Sequence, residues 1–220
     1  MHVGLIGGIG PSATDFYYRR LIQRAAEIGR DLELTMVHAD ARTLVNNLGA
    51  NDQDAQIEIF YRLTERLRAA GAECVVVTSI AGHFCIDGFA AVSTLPILDI
   101  TDAVSPWLKQ QNLKSVGILG TDTVMTTAMY GKLGDVEVLQ PKPSSLHTVH
   151  HAYVTLAQSA APIPDLHHVF FDAGAEMISR GAQAILLGGT DLNVVFAENP
   201  TAFPIVDCAQ IHVDHIAQSI

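Results

Sequence analysis

Short apolar runs alternate along the chain with longer stretches in which apolar residues recur every three or four positions. Val3–Gly7 is an apolar run ending in glycines, and Pro11 opens an amphipathic pattern that continues to about Ile28, where proline suits the first turn of a helix. Leu32–Asp40 (LELTMVHAD) reads as a second strand, Asp52–Ala72 as a long helix, and Cys74–Ser79 (CVVVTS) as a strand buried on both faces, as parallel sheets require. Leu95–Ile100 (LPILDI) predicts a fourth strand, Thr101–Asn112 a helix, Ser115–Gly120 a fifth strand and Val136–Gln140 a sixth. His147–Ala160 and Leu166–Gly181 read as helices, Ala184–Gly189 as a seventh strand and Phe203–Cys208 as an eighth. Strands that alternate with helices predict an α/β fold built on parallel sheets.

The pattern repeats. VGLIGGIGPSATDFYYRRL from Val3 aligns without a gap on VGILGTDTVMTTAMYGKLG from Val116, placing Tyr17 over Tyr130. RAAGAECVVVTSIAGH from Arg68 aligns on ISRGAQAILLGGTDL from Ile178, placing Gly71 over Gly181 and Ser79 over Gly189. LPILDITDAV from Leu95 aligns on FPIVDCAQIHV from Phe203, placing Pro96 over Pro204 and Asp99 over Asp207. Blocks in the same order at nearly constant offset predict two similar α/β halves. Ligands of open α/β sheets sit beyond the carboxyl ends of the strands, which selects four loops: Gly7–Thr14, Ser79–His83, Gly120–Thr127 and Gly188–Asn193. If the two halves face one another, these loops line one cleft, and Ser79 and Gly189 stand on opposite walls, where a two-base reaction would hold its bases.

Composition narrows the function. With 220 residues, 49% of them apolar, the chain can bury a large core. It has no long uninterrupted apolar run, and MHVGLIGG lacks a basic flank and cleavage site, so a cytoplasmic protein without a membrane segment is expected. A formal charge of −10 argues against nucleic acid or an anionic membrane surface as partner. Cys74, Cys85 and Cys208 are too few and scattered for a disulfide framework and read as free thiols.

The candidate chemistry lies in the loops. GGIGPSA holds Gly8, Gly10 and Ala13 in the spacing of a dinucleotide fingerprint, with Asp40 after the second strand. The repeat copy, GTDTVMT, keeps the position but replaces the glycines with hydroxyls. The shared reading is a loop offering amides and hydroxyls to a small anion, with Gly8, Gly10, Ser12, Thr121 and Thr123 as candidate ligand-binding residues and no cofactor. His147, His150 and His151 have a helical spacing that can share a metal, but no glutamate companion accompanies them, and no metal site is assigned there or at His167 and His168. Cys85 is open to two readings, a cleft thiol or a small buried hydrophobe. His83 sits where a polar residue would face a ligand. Asp191 is open to three roles: orienting loop amides, capping its loop, or acting as acid or base. Asp99 and Asp207 end strands and are expected to cap the helices that follow.

Together these residues resemble the aspartate/glutamate racemase superfamily of cofactor-independent racemases and isomerases. GLIGGIGPSATDFYYRRL resembles its opening motif, VGILGT with the later tyrosine the start of its second half, VLQPKP its mid-domain strand and PIVDCAQIHV its closing segment. The resemblance implies two pseudo-symmetric domains, each a mainly parallel sheet flanked by helices, with the active-site cleft between them. The N-terminal domain would comprise 1–103 plus 205–220, the C-terminal domain 104–204. It also implies a homodimer, a small amino acid or carboxylate as partner, and chemistry without pyridoxal phosphate, in which two thiols flank the α-carbon. In the family those thiols sit in a C-N-T-A-H-like and a G-C-T-E-like motif; here the positions read SIAGH and GGTDL. Ser79 replaces one thiol, Gly189 the other, and Ile80 and Ala81 replace two carboxylate-binding residues, while His83 and Thr190 are kept. A serine hydroxyl is too weakly acidic to act as a ready base without an activating neighbour. Altered isomerase- or lyase-type chemistry using Ser79, His83, Asp191 or Cys85, a non-catalytic metabolite-binding homologue, and a racemase with other bases are the readings left open. Thr190 and Gly189 join the expected ligand-binding set.

Overall fold

The computed structural model describes residues 1–159, 163 and 166–219. The chain divides into two compact units, Met1–Asp99 together with the chain from His212 onward, and Ile100–Ile211. In the first, β1 (His2–Gly7), α1 (Pro11–Glu27), β2 (Glu33–His38), α2 (Ala41–Ala50), α3 (Gln53–Ala69), β3 (Cys74–Val77) and α4 (Ile86–Val92) follow in order. The second holds α5 (Ile100–Gln110), β4 (Ser115–Leu119), α6 (Asp122–Thr126), β5 (Glu137–Leu139), α7 (Pro143–Gln158), α8 (His167–Ser179), β6 (Ala184–Leu187), α9 (Leu192–Glu198) and β7 (Ile205–Asp207). The last helix, α10 (Cys208–Ser219), begins in the second unit and ends in the first. Ala160, where the α7 pattern was expected to end, and Ile220, expected in the N-terminal domain, lie outside the described residues.

Both sheets are parallel, ordered β2-β1-β3 and β5-β4-β6-β7. The repeat therefore appears as shared topology, and it persists in single hydrogen bonds. Glu73 N donates to His2 O and Gln183 N donates to Ser115 O, both at 2.8 Å; Val75 N donates to Pro96 O and Ile185 N donates to Pro204 O, both at 2.9 Å. Gly71 and Gly181 both end helices at positive φ, 93° and 107°, a conformation that glycine adopts without a Cβ penalty. Each central strand also carries a glycine under a crossing helix. A Cβ on Gly4 would stand 2.8 Å from Leu67 Cδ1, and one on Gly117 would stand 3.0 Å from Met177 Cβ.

The expected strand at Leu95–Ile100 is corrected: the segment makes one parallel bridge, between Val75 and Ile97. Its two hydrogen bonds are Val75 N to Pro96 O and Leu98 N to Val75 O. Pro96 brings no N–H to a ladder, and α5 begins at Ile100, so the extended stretch ends there. In the second unit the same segment does pair as β7. Helix α2 was not legible in the pattern. It begins because Asp40 accepts from Thr43 N at 2.8 Å and from Thr43 Oγ1 at 2.9 Å, a side-chain N-cap. The carboxylate that follows the second strand beside the dinucleotide-like glycine spacing is therefore engaged in capping. Asp207 does cap α10, accepting from Gln210 N at 3.0 Å.

The end of the chain is fastened to the first unit by a buried polar relay. His212 Nε2 donates to Leu98 O at 2.9 Å, and the Tyr17 hydroxyl reaches His212 Nδ1 at 2.7 Å. A carbonyl only accepts, so Nε2 carries the proton, and in the neutral ring Nδ1 accepts from the phenol. Burial is the main cause that holds the His212 pKa down, to about 3. In the unfolded chain the ring takes a proton near pH 6.5. Because the folded value is the lower one, this contribution to stability is complete above about pH 6.5 and is lost as the pH falls toward about 3. Thermal melts between pH 7 and 4 should show the wild-type midpoint falling more steeply than that of His212→Gln. Parallel slopes for the two proteins would show that His212 does not carry this linkage.

Candidate functional site

The first unit presents the β1–α1 loop and the turn after β3 at the carboxyl end of its sheet. Gly8 at φ 154° has no room for a side chain, since a Cβ there would lie 2.7 Å from Ala39 O. Gly10 precedes α1 at φ 78°, and Ser12 in its first turn is half-buried. Thr78 Oγ1 donates to Ile6 O at 3.1 Å and lies 3.1 Å from Thr14 Oγ1, joining the two loops. Ser79 follows, buried, at the start of a 3-10 turn over Ala81–Cys85.

His83 does not stand open to solvent: its side chain is fully buried, with Nε2 3.6 Å from Asp99 Oδ1. Its Nδ1 lies 2.7 Å from Ser79 O, and since a carbonyl only accepts, this nitrogen carries the proton. The ring thereby holds the Ser79 carbonyl and sets the turn that carries the serine. Cys85 is buried and its thiol donates to Gly82 O at 3.7 Å. Burial pushes that thiol up to about 12 and the Cys74 thiol up to about 11. The fully buried Cys208 thiol is raised for the same reason. None of the three is a thiolate near neutral pH, so each serves as a small hydrophobe rather than as a proton carrier.

In the second unit the loop after β4 is largely self-satisfied. Thr121 caps α6 by accepting from Val124 N at 3.3 Å. Asp122 N donates to His150 Nδ1 at 2.9 Å, so that imidazole is neutral there, and burial lowers its pKa. Two of the amides expected to face an anion are thus engaged within the protein; Thr123 is half-buried. His147 and His151 pair with each other through their Nε2 atoms at 2.8 Å, and His167 and His168 meet edge-on. Among the described residues, no three or more His, Cys, Asp or Glu side chains are grouped to hold a metal. After α6, Ala128, Met129 and Tyr130 take φ values of 51°, 55° and 63°, each left-handed residue costing about 1–2 kcal/mol.

The turn after β6 carries the departure that matters most. Gly189 lies against a residue that sequence reasoning missed: Tyr153, reaching in from α7. A Cβ on residue 189 would coincide with the Tyr153 ring edge, colliding with Cε2 and Cζ and lying 2.8 Å from Cδ2. Tyr153 is buried, and its hydroxyl donates to Asp191 Oδ2 over a long 3.4 Å. Burial first, and the charge of Asp191 next, raise this phenol well above its ordinary value, so it stays protonated at neutral pH. Thr190 Oγ1 and Asn193 Nδ2, on the same turn, are buried without a hydrogen-bond partner, an arrangement that costs about 1–3 kcal/mol for each group left unsatisfied. Asn193, which ends the loop, was also missed. A signal for Tyr153 existed: where one copy of a repeat keeps a side chain and the other has glycine, something else must fill the volume. Two cavities of about 430 Å³ flank the helices of this unit, and none of these loop residues lines either of them.

Comparison with known proteins gives this arrangement a family context. A sequence profile of the Asp/Glu/Hydantoin racemase family matches residues 6–216. The chain is 21% identical to the broad specificity amino-acid racemase RacX of Bacillus subtilis, over 93% of this chain and 92% of that protein. A Yersinia pestis crystal structure provisionally named an Asp/Glu racemase superposes with a TM-score of 0.83 at 25% identity, covering 99% of this chain and 98% of that one. The glutamate racemase of Aquifex pyrophilus superposes at 0.68 with 16% identity, covering 100% and 84% of the two chains, a likeness of fold.

The collision at residue 189 is testable through stability. Gly189→Ala should lower the thermal midpoint, overpacking of a filled core costing about 1–3 kcal/mol. In a Tyr153→Ala background the same change should cost less than half as much, because the ring that blocks the Cβ is gone. Equal costs in the two backgrounds would mean that the ring does not occupy this space.

Proposed function

We propose that this chain, which belongs to the Asp/Glu/hydantoin racemase family, binds a small amino acid or carboxylate through the loops at the carboxyl ends of its two sheets, and acts on it by isomerase- or lyase-type chemistry that uses no thiol pair. The observation that carries the reading is the fate of the sulfur. Ser79 and Gly189 stand at the two positions where the family resemblance implies thiols, and all three cysteines of the chain are buried elsewhere with raised pKa values. A proton on the α-carbon of an amino acid must therefore be handled by oxygen or nitrogen acids, for which Ser79 after β3 and Asp191 after β6 are the candidates.

His83 is assigned a positioning role, through the Ser79 carbonyl that it holds. Cys85, with its thiol near 12, is the weakest of the candidates named from sequence. On the ligand side, Thr190 and Asn193 contribute buried polar atoms without protein partners, and a carboxylate oxygen would satisfy both donors. The apolar replacements Ile80 and Ala81, both buried, favour a less polar substrate than aspartate or glutamate. A protein acting alone on such ligands requires no cofactor and no nucleic acid, and a homodimer remains the family expectation.

Amino acids and small carboxylates incubated with the protein in deuterium oxide provide the test, read by proton NMR, with thermal-shift binding of the same panel run alongside. Binding of at least one compound, its turnover or exchange, and no α-deuteration of aspartate or glutamate above the protein-free control are expected. Rapid exchange of aspartate or glutamate would restore an ordinary racemase. Binding without any turnover would favour a non-catalytic homologue, and no binding across the panel would overturn the reading.

A further inference from the structure

We infer that Tyr153 replaces the missing side chain of residue 189 and presents its hydroxyl to the ligand as a hydrogen-bond donor beside the turn after β6. The inference rests on the proposed binding of a small amino acid or carboxylate and adds to it a residue outside both loop motifs. Its first support is spatial. A Cβ built on Gly189 collides with Cζ of Tyr153, the carbon that bears the phenolic oxygen. The hydroxyl is bonded to that carbon, so the phenol brings a protic group into the immediate surroundings of the missing Cβ. The ring thus supplies a protic group beside residue 189 from a different element, α7 instead of the β6–α9 turn.

A second, independent observation shows that this corner is built for a partner. Thr190 Oγ1 and Asn193 Nδ2 belong to the turn that begins at Gly189, are 2% and 7% exposed as residues, and make no hydrogen bond among the described residues. A packed interior rarely leaves two neighbouring polar groups so, and a ligand oxygen can satisfy both. The Tyr153 hydroxyl makes a long bond, 3.4 Å to Asp191 Oδ2, beyond the usual span of an O–H···O contact. A ligand oxygen at ordinary distance would compete well for that proton. Asp191 then holds the phenol in place when the site is empty and faces a ligand's ammonium group when it is filled. The ligand class that fits is a zwitterionic amino acid with an uncharged side chain, since a second carboxylate would stand against the buried Asp191.

Tyr153→Phe tests the hydroxyl while keeping the ring that fills the space beside Gly189. The probes are L- and D-alanine, L- and D-methionine, L-phenylalanine, L-aspartate and L-glutamate, with affinity read by calorimetry. In parallel, the wild-type protein labelled with 13C at tyrosine Cζ is titrated by NMR, its resonances assigned with Tyr→Phe variants at the other tyrosines. For a probe that binds the wild type, the variant should bind at least about tenfold more weakly, as loss of a hydrogen bond to a charged group implies, and the Tyr153 Cζ resonance should move on addition of the probe. Unchanged affinity overturns the inference while leaving the proposed function intact. Weaker binding with an unmoved resonance also overturns it, since the role is then structural. Should Tyr153→Phe fail to fold, the wild-type resonance alone decides. If the wild type binds none of the probes, the inference fails for the ligand class it names, while the proposed function is decided by the wider panel of carboxylates.

Discussion

Parallel pairing of the central strands is the constraint on which the rest depends. β1 lies between β2 and β3, and β4 between β5 and β6, with every partner running the same way. A parallel sheet can be wound only by returning the chain across its face, so all strand-to-helix loops of one sheet emerge at one edge. The chain meets the steric demand of those crossings with glycine at equivalent points, Gly4 under Leu67 and Gly117 under Met177. From this follow the positions of Ser79 and Gly189, each the second residue after its buried β-run Cys74–Val77 or Ala184–Leu187.

The repeat made most of this legible in the sequence, because backbone needs are written in glycine, proline and runs of β-branched residues. Gly71 and Gly181, or Pro96 and Pro204, could be matched before any geometry was known, and their hydrogen bonds match as well. Reading by analogy failed where the copies differ in length or pairing. Leu95–Ile100 resembles Phe203–Cys208 residue by residue, yet one forms a single bridge and the other a strand. Helix α1 has 17 residues, whereas its counterpart α6 stops after 5 and gives way to a left-handed turn. Periodicity cannot report that difference, because Thr123–Tyr130 contains no glycine or proline to mark the break.

The candidate site was legible as a set of positions and not as a set of contacts. Sequence spacing located Ser79, His83, Gly189, Thr190 and Asp191 near strand ends. It could not show that the His83 ring turns inward to the Ser79 carbonyl, that His150 takes the Asp122 amide, or that the Asp40 carboxylate is engaged in capping a helix. The first and last are local, four and three residues apart, and depend on a turn geometry that residue type alone leaves open, while the His150 contact spans 28 residues of chain. Tyr153 is the clearest case. It sits in an apolar helix with neighbours that give no hint of a site, and only the empty Cβ position at residue 189, 36 residues on, gives it a function.

A phenol beside Gly189 offers different chemistry from the thiol that the family resemblance implies at that position. A thiol near its ordinary pKa can serve as acid or as base at neutral pH with modest help from loop amides, which is why a symmetric pair of thiols can run a racemisation in both directions. A buried phenol beside a carboxylate has its pKa raised, by burial first and by Asp191 next, so it can donate a hydrogen bond or give its proton to a strong base, and it cannot abstract one. Ser79 faces the opposite difficulty, a hydroxyl without a free histidine to activate it, since the Nδ1 of His83 donates to the serine's own carbonyl. Neither Ser79 nor the Tyr153 hydroxyl is thus a ready base of the kind that a thiol pair supplies. Under the proposed function the Tyr153 hydroxyl would polarise or protonate the ligand, and the compensating step would be one that needs no thiolate on the protein.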